Sequence, residues 1–186
     1  MTPPPAAPAA AEGTVVFTDL IGFTEFTATR GDEDALALLA RHERLVESVL
    51  PSDARRVKDL GDGLLLWFPD ACAAVETMLR LQDECESTSD TEWPLWIRVG
   101  AHYGRPLPRG ADLIGNDVNV AARIVDVAGP GEVLVSEETV LHVGEALPGV
   151  QFEEIGPVTM KGLPAPVRLF HAQWSPSADR GCPAVS

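Results

Sequence analysis

A short segment rich in glycine and aspartate, Asp59-Leu-Gly-Asp-Gly63, constrains the fold of this chain more than any other feature. It lies between Arg55-Arg-Val-Lys58 and the apolar run Leu64-Leu-Leu-Trp-Phe68. Glycine and aspartate favour tight reversals of the chain, and the two flanking runs have the composition of short strands. The sequence therefore predicts an antiparallel hairpin whose turn carries Asp62.

A second carboxylate stands at the end of another predicted strand. The run Thr14-Val-Val-Phe17 is short and apolar, as in a buried strand, and Asp19 follows it just before a turn at Gly22. If the hairpin pairs beside this strand, Asp19 and Asp62 meet at the sheet edge. Two carboxylates there would hold magnesium or manganese, which complete their shells with phosphate and water. Taken singly, each aspartate is more simply a turn residue.

The turn at Gly22 opens a helix that is predicted to end near Gly31. The first N–H groups of a helix have no acceptor within it and carry partial positive charge. The main-chain N–H groups of Gly22, Phe23 and Thr24 could therefore receive phosphate oxygens.

Apolar periodicity predicts alternating helices and strands along the rest of the chain. A second helix is predicted from about Asp32, as N-cap, to Leu50, with an apolar face at Leu36, Leu39, Ala40, Leu45, Val46 and Val49. Further helices are predicted at about 71–86, at about 117–127 and after Ser136, and further strands at about 95–103, 133–135, 151–155 and 167–172. This order predicts an α+β fold with helices packed on a mixed sheet.

We expect one folded domain at residues 13–173, with a flexible tail rich in proline and alanine at 1–12 and another flexible tail at 174–186. The formal net charge of −14 argues against nucleic acid and anionic membrane as partners, because both require a positive face. No signal peptide or membrane-spanning run is apparent, and the three cysteines lack metal-ligand spacing. The expected location is therefore the cytoplasm. Any nucleotide site must supply its own local cations.

Four segments, in this order, resemble the class III nucleotidyl cyclase family. They are Phe17-Thr-Asp-Leu-Ile-Gly-Phe-Thr24, Lys58-Asp-Leu-Gly-Asp-Gly63, Asp112-Leu-Ile-Gly-Asn-Asp-Val-Asn-Val-Ala-Ala-Arg123 and Lys161-Gly-Leu163. The resemblance covers residues from about 13 to 172. It implies the catalytic domain of a bacterial-type adenylyl cyclase, with a ferredoxin-like βαββαβ fold and a mixed, mostly antiparallel sheet. Such an enzyme converts ATP to cyclic AMP and pyrophosphate.

The resemblance also implies roles for single residues. Asp19, Asp62 and the backbone carbonyl of Leu20 match the ligands of two divalent metal ions, Mg²⁺ or Mn²⁺. Lys58 and Asp112 match the pair that selects adenine, in which the lysine donates to a ring nitrogen and the carboxylate accepts from the exocyclic amine. Guanine presents the opposite polarity at that edge, so ATP is expected to be preferred to GTP.

Four further positions are implied in the same way. Asn119 and Arg123 match the pair that orients the ribose and neutralises the α-phosphate, Lys161 matches the lysine on the terminal phosphates, and Ala122 lies where relatives vary with base choice. Asn119 and Arg123 are four residues apart and would share one face of a helix. Without the resemblance, Lys58 is a solvated edge lysine, Arg123 a surface ion-pair partner and Asn119 an ordinary helix residue.

The family's active sites are shared across a head-to-tail homodimer. Each site would take Asp19 and Asp62 from one chain and the remaining groups from the other, so a monomer would be inactive. The seven residues 105–111 are a shorter arm than many relatives have, and we expect a weaker dimer for that reason. Two other hypotheses stay open, a catalytically silent nucleotide-binding regulatory module and, disfavoured by Lys58 and Asp112, a guanylyl cyclase. Nothing in the sequence identifies a regulator.

Overall fold

The structure, a computed structural model, describes residues 11–88 and 95–176. Most of the two predicted tails, at 1–10 and 177–186, lies outside the described residues. Ala11 and Glu12, which fall within the predicted amino-terminal tail, contact the domain. The Ala11 N–H donates to the carbonyl of Pro106 at 3.3 Å, and Glu12 forms an ion pair with Arg105.

The chain alternates between strands and helices in nearly the predicted order. The strands are β1 (Gly13–Leu20), β2 (Arg55–Asp59), β3 (Gly63–Phe68), β4 (Ile97–Gly104), β5 (Leu107–Arg109), β6 (Asp112–Ile114), β7 (Val133–Ser136), β8 (Val150–Val158) and β9 (Val167–Trp174). The helices are α1 (Phe23–Arg30), α2 (Asp32–Val49), α3 (Ala71–Ser87), α4 (Asn116–Val127) and α5 (Glu137–Val143). Among the described residues, no helix combines the length and apolar character required to cross a membrane.

The described strands form a seven-stranded sheet in the order β2-β3-β1-β4-β7-β9-β8, beside a small β5-β6 hairpin. Strands β4 and β7 pair in parallel, and the other described pairs are antiparallel. The first four strands, with α1–α2 and α3 as connections, make a βαββαβ unit. The predicted α+β class and mostly antiparallel mixed sheet are confirmed.

Strands β1 and β3 are buried on both faces, which accounts for their nearly continuous apolar sequences. Alternate side chains of a strand point to opposite faces. Val16, Leu64 and Leu66 therefore pack with α2 and α3, whereas Val15, Phe17 and Leu65 pack with Ala121 and Val125 of α4. Asp19 follows Val15 and Phe17 in this alternation and so lies on the α4 face.

Helix α4 lies unusually close to the sheet because position 100 is glycine. A Cβ at Gly100 would overlap the Val125 N atom and lie 2.7 Å from the Val125 Cα and 2.9 Å from the Ala121 carbonyl oxygen. The absence of a side chain at this position therefore sets the height of α4 above β4.

The predicted apolar face of α2 is confirmed in part, since Val46 is buried and Leu39, Leu45 and Val49 are partly buried against the core. Leu36 is 65% exposed, and the buried residues are Ala35, Leu38, His42 and Val46. The prediction did not include Ala35, Leu38 or His42, and the His42 ring forms a 3.2 Å hydrogen bond with the Thr18 hydroxyl. Gly31, rather than Asp32, is the N-cap residue, and no side chain caps this helix.

Strands β5 and β6 were not predicted, because each has three residues and Pro108 interrupts the pattern of the first. They form a hairpin in which Arg109 pairs with Asp112. This hairpin fills the short arm between β4 and α4, and it positions Asp112.

Candidate active site

The pairing of the β2-β3 hairpin beside β1 brings Asp19 and Asp62 to one edge of the sheet, as predicted. Asp19 is opposite Gly63 in the register, and the Leu20 N–H donates to the Asp62 carbonyl at 3.1 Å. A Cβ at Gly63 would lie 3.4 Å from the Asp19 Oδ1 atom and would overlap the Thr18 carbonyl. Glycine at 63 therefore leaves space beside the Asp19 carboxylate.

Arg98 is a prominent neighbour of Asp19 that the sequence analysis missed. The two residues are directly opposite each other on β1 and β4, and the Arg98 guanidinium contacts Asp19 Oδ2 at 2.6 Å and 2.8 Å. Burial raises the pKa of Asp19, and the charges of Asp62 and Asp126 act in the same direction, whereas Arg98 lowers it. An arginine within an otherwise apolar strand was the available signal, but its partner depends on the strand register.

The donor set at this edge fits a hard divalent cation. In the described ranges 11–88 and 95–176, no group of three or more histidine, cysteine, aspartate or glutamate side chains is arranged to hold a metal ion. Asp19 and Asp62 are a pair of carboxylates, which suits a cation that takes its remaining ligands from phosphate and water. The Leu20 side chain is buried in the core, so this residue could contribute only its carbonyl.

The start of α1 follows directly after this edge. Gly22 is the N-cap, in the left-handed conformation at φ 73°, and no side chain caps the helix. The N–H groups of Phe23 and Thr24 therefore keep the donor capacity that the first turn of a helix offers to an anion. Thr24 is exposed and Phe23 is half-buried.

Lys58 and Asp112 are brought together from two different hairpins. The Lys58 Nζ atom donates to Asp112 Oδ2 at 2.9 Å, although the residues are 54 positions apart. The hydrogen bond from Lys58, followed by one from the Leu113 N–H, lowers the pKa of Asp112. The side chains are 52% and 35% exposed, so both remain accessible to a ligand.

Helix α4 presents Asn119 and Arg123 to solvent, one turn apart. Arg123 forms an ion pair with Asp126 at 2.8 Å, and Ala122 is partly buried in the cluster on the α4 face. Lys161 is exposed in the turn between β8 and β9. Its neighbour Met160 is buried against α4 in a cluster with Val120 and Ile124, which anchors this turn near the helix.

Arg98 and Asp126 connect the carboxylates at Asp19 and Asp62 with the exposed residues of α4. The Arg98 guanidinium contacts the Asp19 carboxylate and donates to the Asp126 carbonyl at 3.2 Å. The Asp126 carboxylate in turn pairs with Arg123. The carboxylate edge and the exposed side of α4 are thus on the same face of the sheet.

Comparison with known proteins identifies the class to which this fold and this arrangement belong. The chain matches the family described as the adenylate and guanylate cyclase catalytic domain over residues 6–172. The chain therefore belongs to this family of class III nucleotidyl cyclases.

The most informative relatives are bacterial. The chain is 32% identical over 168 residues to a pH-sensitive adenylate cyclase of Mycobacterium tuberculosis, covering 89% of this chain and 42% of the relative. It is 37% identical over 137 residues to an adenylate cyclase of Streptomyces griseus, covering 71% of this chain and 33% of the relative. The chain thus spans less than half the length of these curated relatives.

Solved structures of cyclases share the fold. An adenylate cyclase of Trypanosoma brucei in its monomeric state aligns with a TM-score of 0.75 at 25% identity, covering 87% of this chain and 89% of that one. The adenylyl cyclase CyaB from P. aeruginosa aligns with a TM-score of 0.71 at 25% identity, covering 88% and 94%. These matches agree with the βαββαβ unit described above.

Proposed function

We propose that residues 13–173 form an adenylyl cyclase domain that converts ATP to 3′,5′-cyclic AMP and pyrophosphate. The observation that carries this proposal is the 2.9 Å contact between Lys58 and Asp112. A donor beside an acceptor matches the ring nitrogen and exocyclic amine of adenine, whereas guanine presents an oxygen to Asp112 and an N–H to Lys58. Such a mismatch costs about 1–3 kcal/mol per unpaired group when it is buried. The names of the bacterial relatives support the same substrate.

The remaining residues would position the triphosphate and offset its charge. Asn119 would orient the ribose so that its 3′-hydroxyl faces the α-phosphate, and Arg123 would offset charge on that phosphate. Lys161 and the N–H groups of Gly22, Phe23 and Thr24 would receive phosphate oxygens. Mg²⁺ or Mn²⁺ ions, held by Asp19, Asp62 and the Leu20 carbonyl, would supply acidification of the 3′-hydroxyl and neutralisation of the phosphates.

The ion pairs of the free chain hold these groups until substrate arrives. Arg98 neutralises Asp19 and Asp126 neutralises Arg123, at 2.6 Å and 2.8 Å. The Arg123–Asp126 pair is about half exposed and is worth about 0–1 kcal/mol, so exchanging it for phosphate costs little. Arg98 would then be free to face the phosphates beside Asp19.

We further propose that the active form is a head-to-tail homodimer with two shared sites. Lys58 and Asp62 lie at the two ends of one short turn, yet Lys58 contacts Asp112 while Asp62 is beside Asp19. A single nucleotide that uses both groups across a symmetric dimer would take them from different chains. This arrangement makes activity depend on protein concentration.

The test is to incubate the purified chain with Mn²⁺ and either ATP or GTP, over a wide range of protein concentration, and to separate the products by chromatography. We expect cyclic AMP from ATP, a specific activity that rises with protein concentration, and little cyclic GMP. Absence of product from a folded, dimeric protein would favour a silent nucleotide-binding module instead. Cyclic GMP as the main product would show a guanylyl cyclase.

A second arm of the same assay examines base choice. In the double variant Lys58→Glu with Asp112→Ser, the polarity at the base edge is reversed, so the ratio of kcat/KM for ATP to that for GTP should fall by about 100-fold or more. The matched control is a charge reversal at an exposed arginine of α2, Arg44→Glu, which should leave the ratio unchanged. An unchanged ratio in the double variant would contradict the assignment of Lys58 and Asp112.

A further inference from the structure

A cavity of about 430 Å³ lies between the start of α4, the start of α5 and the segment before β9. It is separate from Asp19, Asp62, Lys58 and Asp112, none of which lines it. Its lining includes the apolar Val120 and residues 163–167, together with His102, Asp117 and Glu138. The cavity thus combines an apolar wall with a small group of ionisable side chains.

His102 is fixed in the wall of this cavity. Its side chain is 8% exposed, and its Nδ1 atom forms a 2.8 Å hydrogen bond with the Ser136 hydroxyl. Its Nε2 atom is 3.6 Å from Asp117 Oδ1, beyond hydrogen-bonding distance, and its Nδ1 atom is 3.7 Å from Glu138 Oε2. Burial lowers the pKa of His102, although the charges of Glu138 and Asp117 oppose this.

Neither carboxylate accepts a hydrogen bond from a cationic side chain in the part of the chain that the structure describes. No lysine or arginine side chain in the described ranges forms an ion pair with Asp117 or Glu138. Arg105 lines the cavity, but its guanidinium pairs with Glu12, and only its backbone N–H reaches Asp117, at 2.6 Å. Two negative charges beside an apolar wall favour a ligand that is cationic at one end and apolar at the other.

We propose that this cavity binds a small organic cation, a primary ammonium on a compact apolar body. The ammonium would donate to Asp117 and to His102 Nε2, with the negative charge of Glu138 near the Nδ1 side of the imidazole. The apolar part would pack on Val120 and residues 163–167. Because Asp117 belongs to the first turn of α4, and residues 163–167 follow Lys161, a bound cation would connect two elements of the proposed catalytic site. This last step rests on the proposed function.

The probe is phenethylammonium, with 2-phenylethanol as a neutral control of nearly the same shape. The full chain is titrated with the probe, and binding is monitored by isothermal calorimetry and by the His102 imidazole signals in NMR. We expect saturable binding of the ammonium with a Kd on the order of 1 mM or lower. The alcohol should bind at least about tenfold more weakly, because it lacks the charge. Equal binding of the two probes, or no saturation, would overturn the proposal.

Two variants separate this site from general attraction to an acidic protein. Glu138→Gln and Asp117→Asn should each weaken binding about tenfold, and Asp117→Asn keeps an oxygen for the Arg105 N–H. Glu153→Gln, an exposed carboxylate on β8, should leave the Kd unchanged. Equal weakening by all three variants would overturn the site in favour of diffuse attraction, and thermal unfolding checks that each variant is folded.

The coupling to the catalytic elements is tested by cyclic AMP formation at saturating ATP. We expect saturating phenethylammonium to change the rate about twofold or more in the wild type and not in Glu138→Gln. An unchanged wild-type rate with binding intact overturns the coupling. A dimeric chain that binds the probe yet makes no cyclic AMP in its absence would refute the proposed function while supporting the site.

Discussion

His42 is a buried histidine whose pKa changes strongly on folding. It is 1% exposed, and burial, together with the charge of Arg56, lowers its pKa to about 4 from the ordinary value of 6.5. Between these two pH values the unfolded chain binds a proton that the folded chain does not. The free energy of unfolding contributed by His42 is therefore complete above pH 6.5 and is lost as the pH falls towards 4.

The expected loss is about 2 kcal/mol between pH 7 and pH 5, at about 1.4 kcal/mol for each pH unit below 6.5. Urea unfolding at both pH values measures this loss of stability. Subtracting the loss measured for His42→Gln removes the contributions of the other titratable groups. That variant should be less stable at pH 7 but should lose about 2 kcal/mol less on acidification. Identical pH dependence in His42→Gln and the wild type would contradict this account.

Residues whose role depends on local sequence were predicted, and residues whose role depends on register were not. Asp19 and Asp62 each follow a strand or occupy a turn, so their meeting requires only that two neighbouring elements pair. Arg98 contacts Asp19 across β1 and β4, although the two residues are 79 positions apart. His42 is buried because of its hydrogen bond to Thr18 on another element. In both cases the partner residue is far away in the sequence.

At the scale of elements, the position of α4 depends on Gly100. A methyl group there would overlap backbone atoms of Val125 and Ala121, and backbone cannot rotate aside as a side chain can. We expect Gly100→Ala to displace α4 and to reduce the free energy of unfolding by about 1–3 kcal/mol. Activity should fall further than stability, since α4 carries the proposed catalytic residues Asn119 and Arg123 and small displacements of catalytic groups are costly.

Thermal or urea unfolding measures the loss of stability in Gly100→Ala. The rate of cyclic AMP formation, at a temperature where the variant is folded, measures the loss of activity. Gly129→Ala is the matched control. A Cβ at Gly129 would lie 3.3 Å from the end of the Glu132 side chain, which can move. Wild-type stability and activity in Gly100→Ala would show that α4 is not held at this height by close approach.

The long elements were predicted to within a few residues, because their apolar periodicity is strong over many positions. The hairpin β2-β3, α3 and α4 are examples. The β5-β6 hairpin was missed because three-residue strands carry too few alternations to be recognised. It matters for the candidate site, since it positions Asp112 against Lys58.

At the scale of the whole molecule, the candidate site divides into two groups on the α4 face. One group is the carboxylate edge at Asp19 and Asp62, and the other is formed by Lys58, Asp112, Asn119, Arg123 and Lys161. In the proposed head-to-tail dimer each site would take one group from each chain. Two chains with defects in different groups can therefore restore one site, whereas two chains with defects in the same group cannot.

This difference gives a test that does not depend on measuring dimer affinity. Asp19→Ala and Arg123→Ala should each be inactive, and an equal mixture should recover about a quarter of the wild-type activity, because half of the dimers are mixed and each has one intact site. Asp19→Ala mixed with Asp62→Ala should remain inactive, since each site then lacks one carboxylate. Recovery in both mixtures would contradict the division into these two groups. Recovery in neither, with sedimentation showing mixed dimers, would mean that each chain holds its own complete site and that the two groups close on one nucleotide within a single domain.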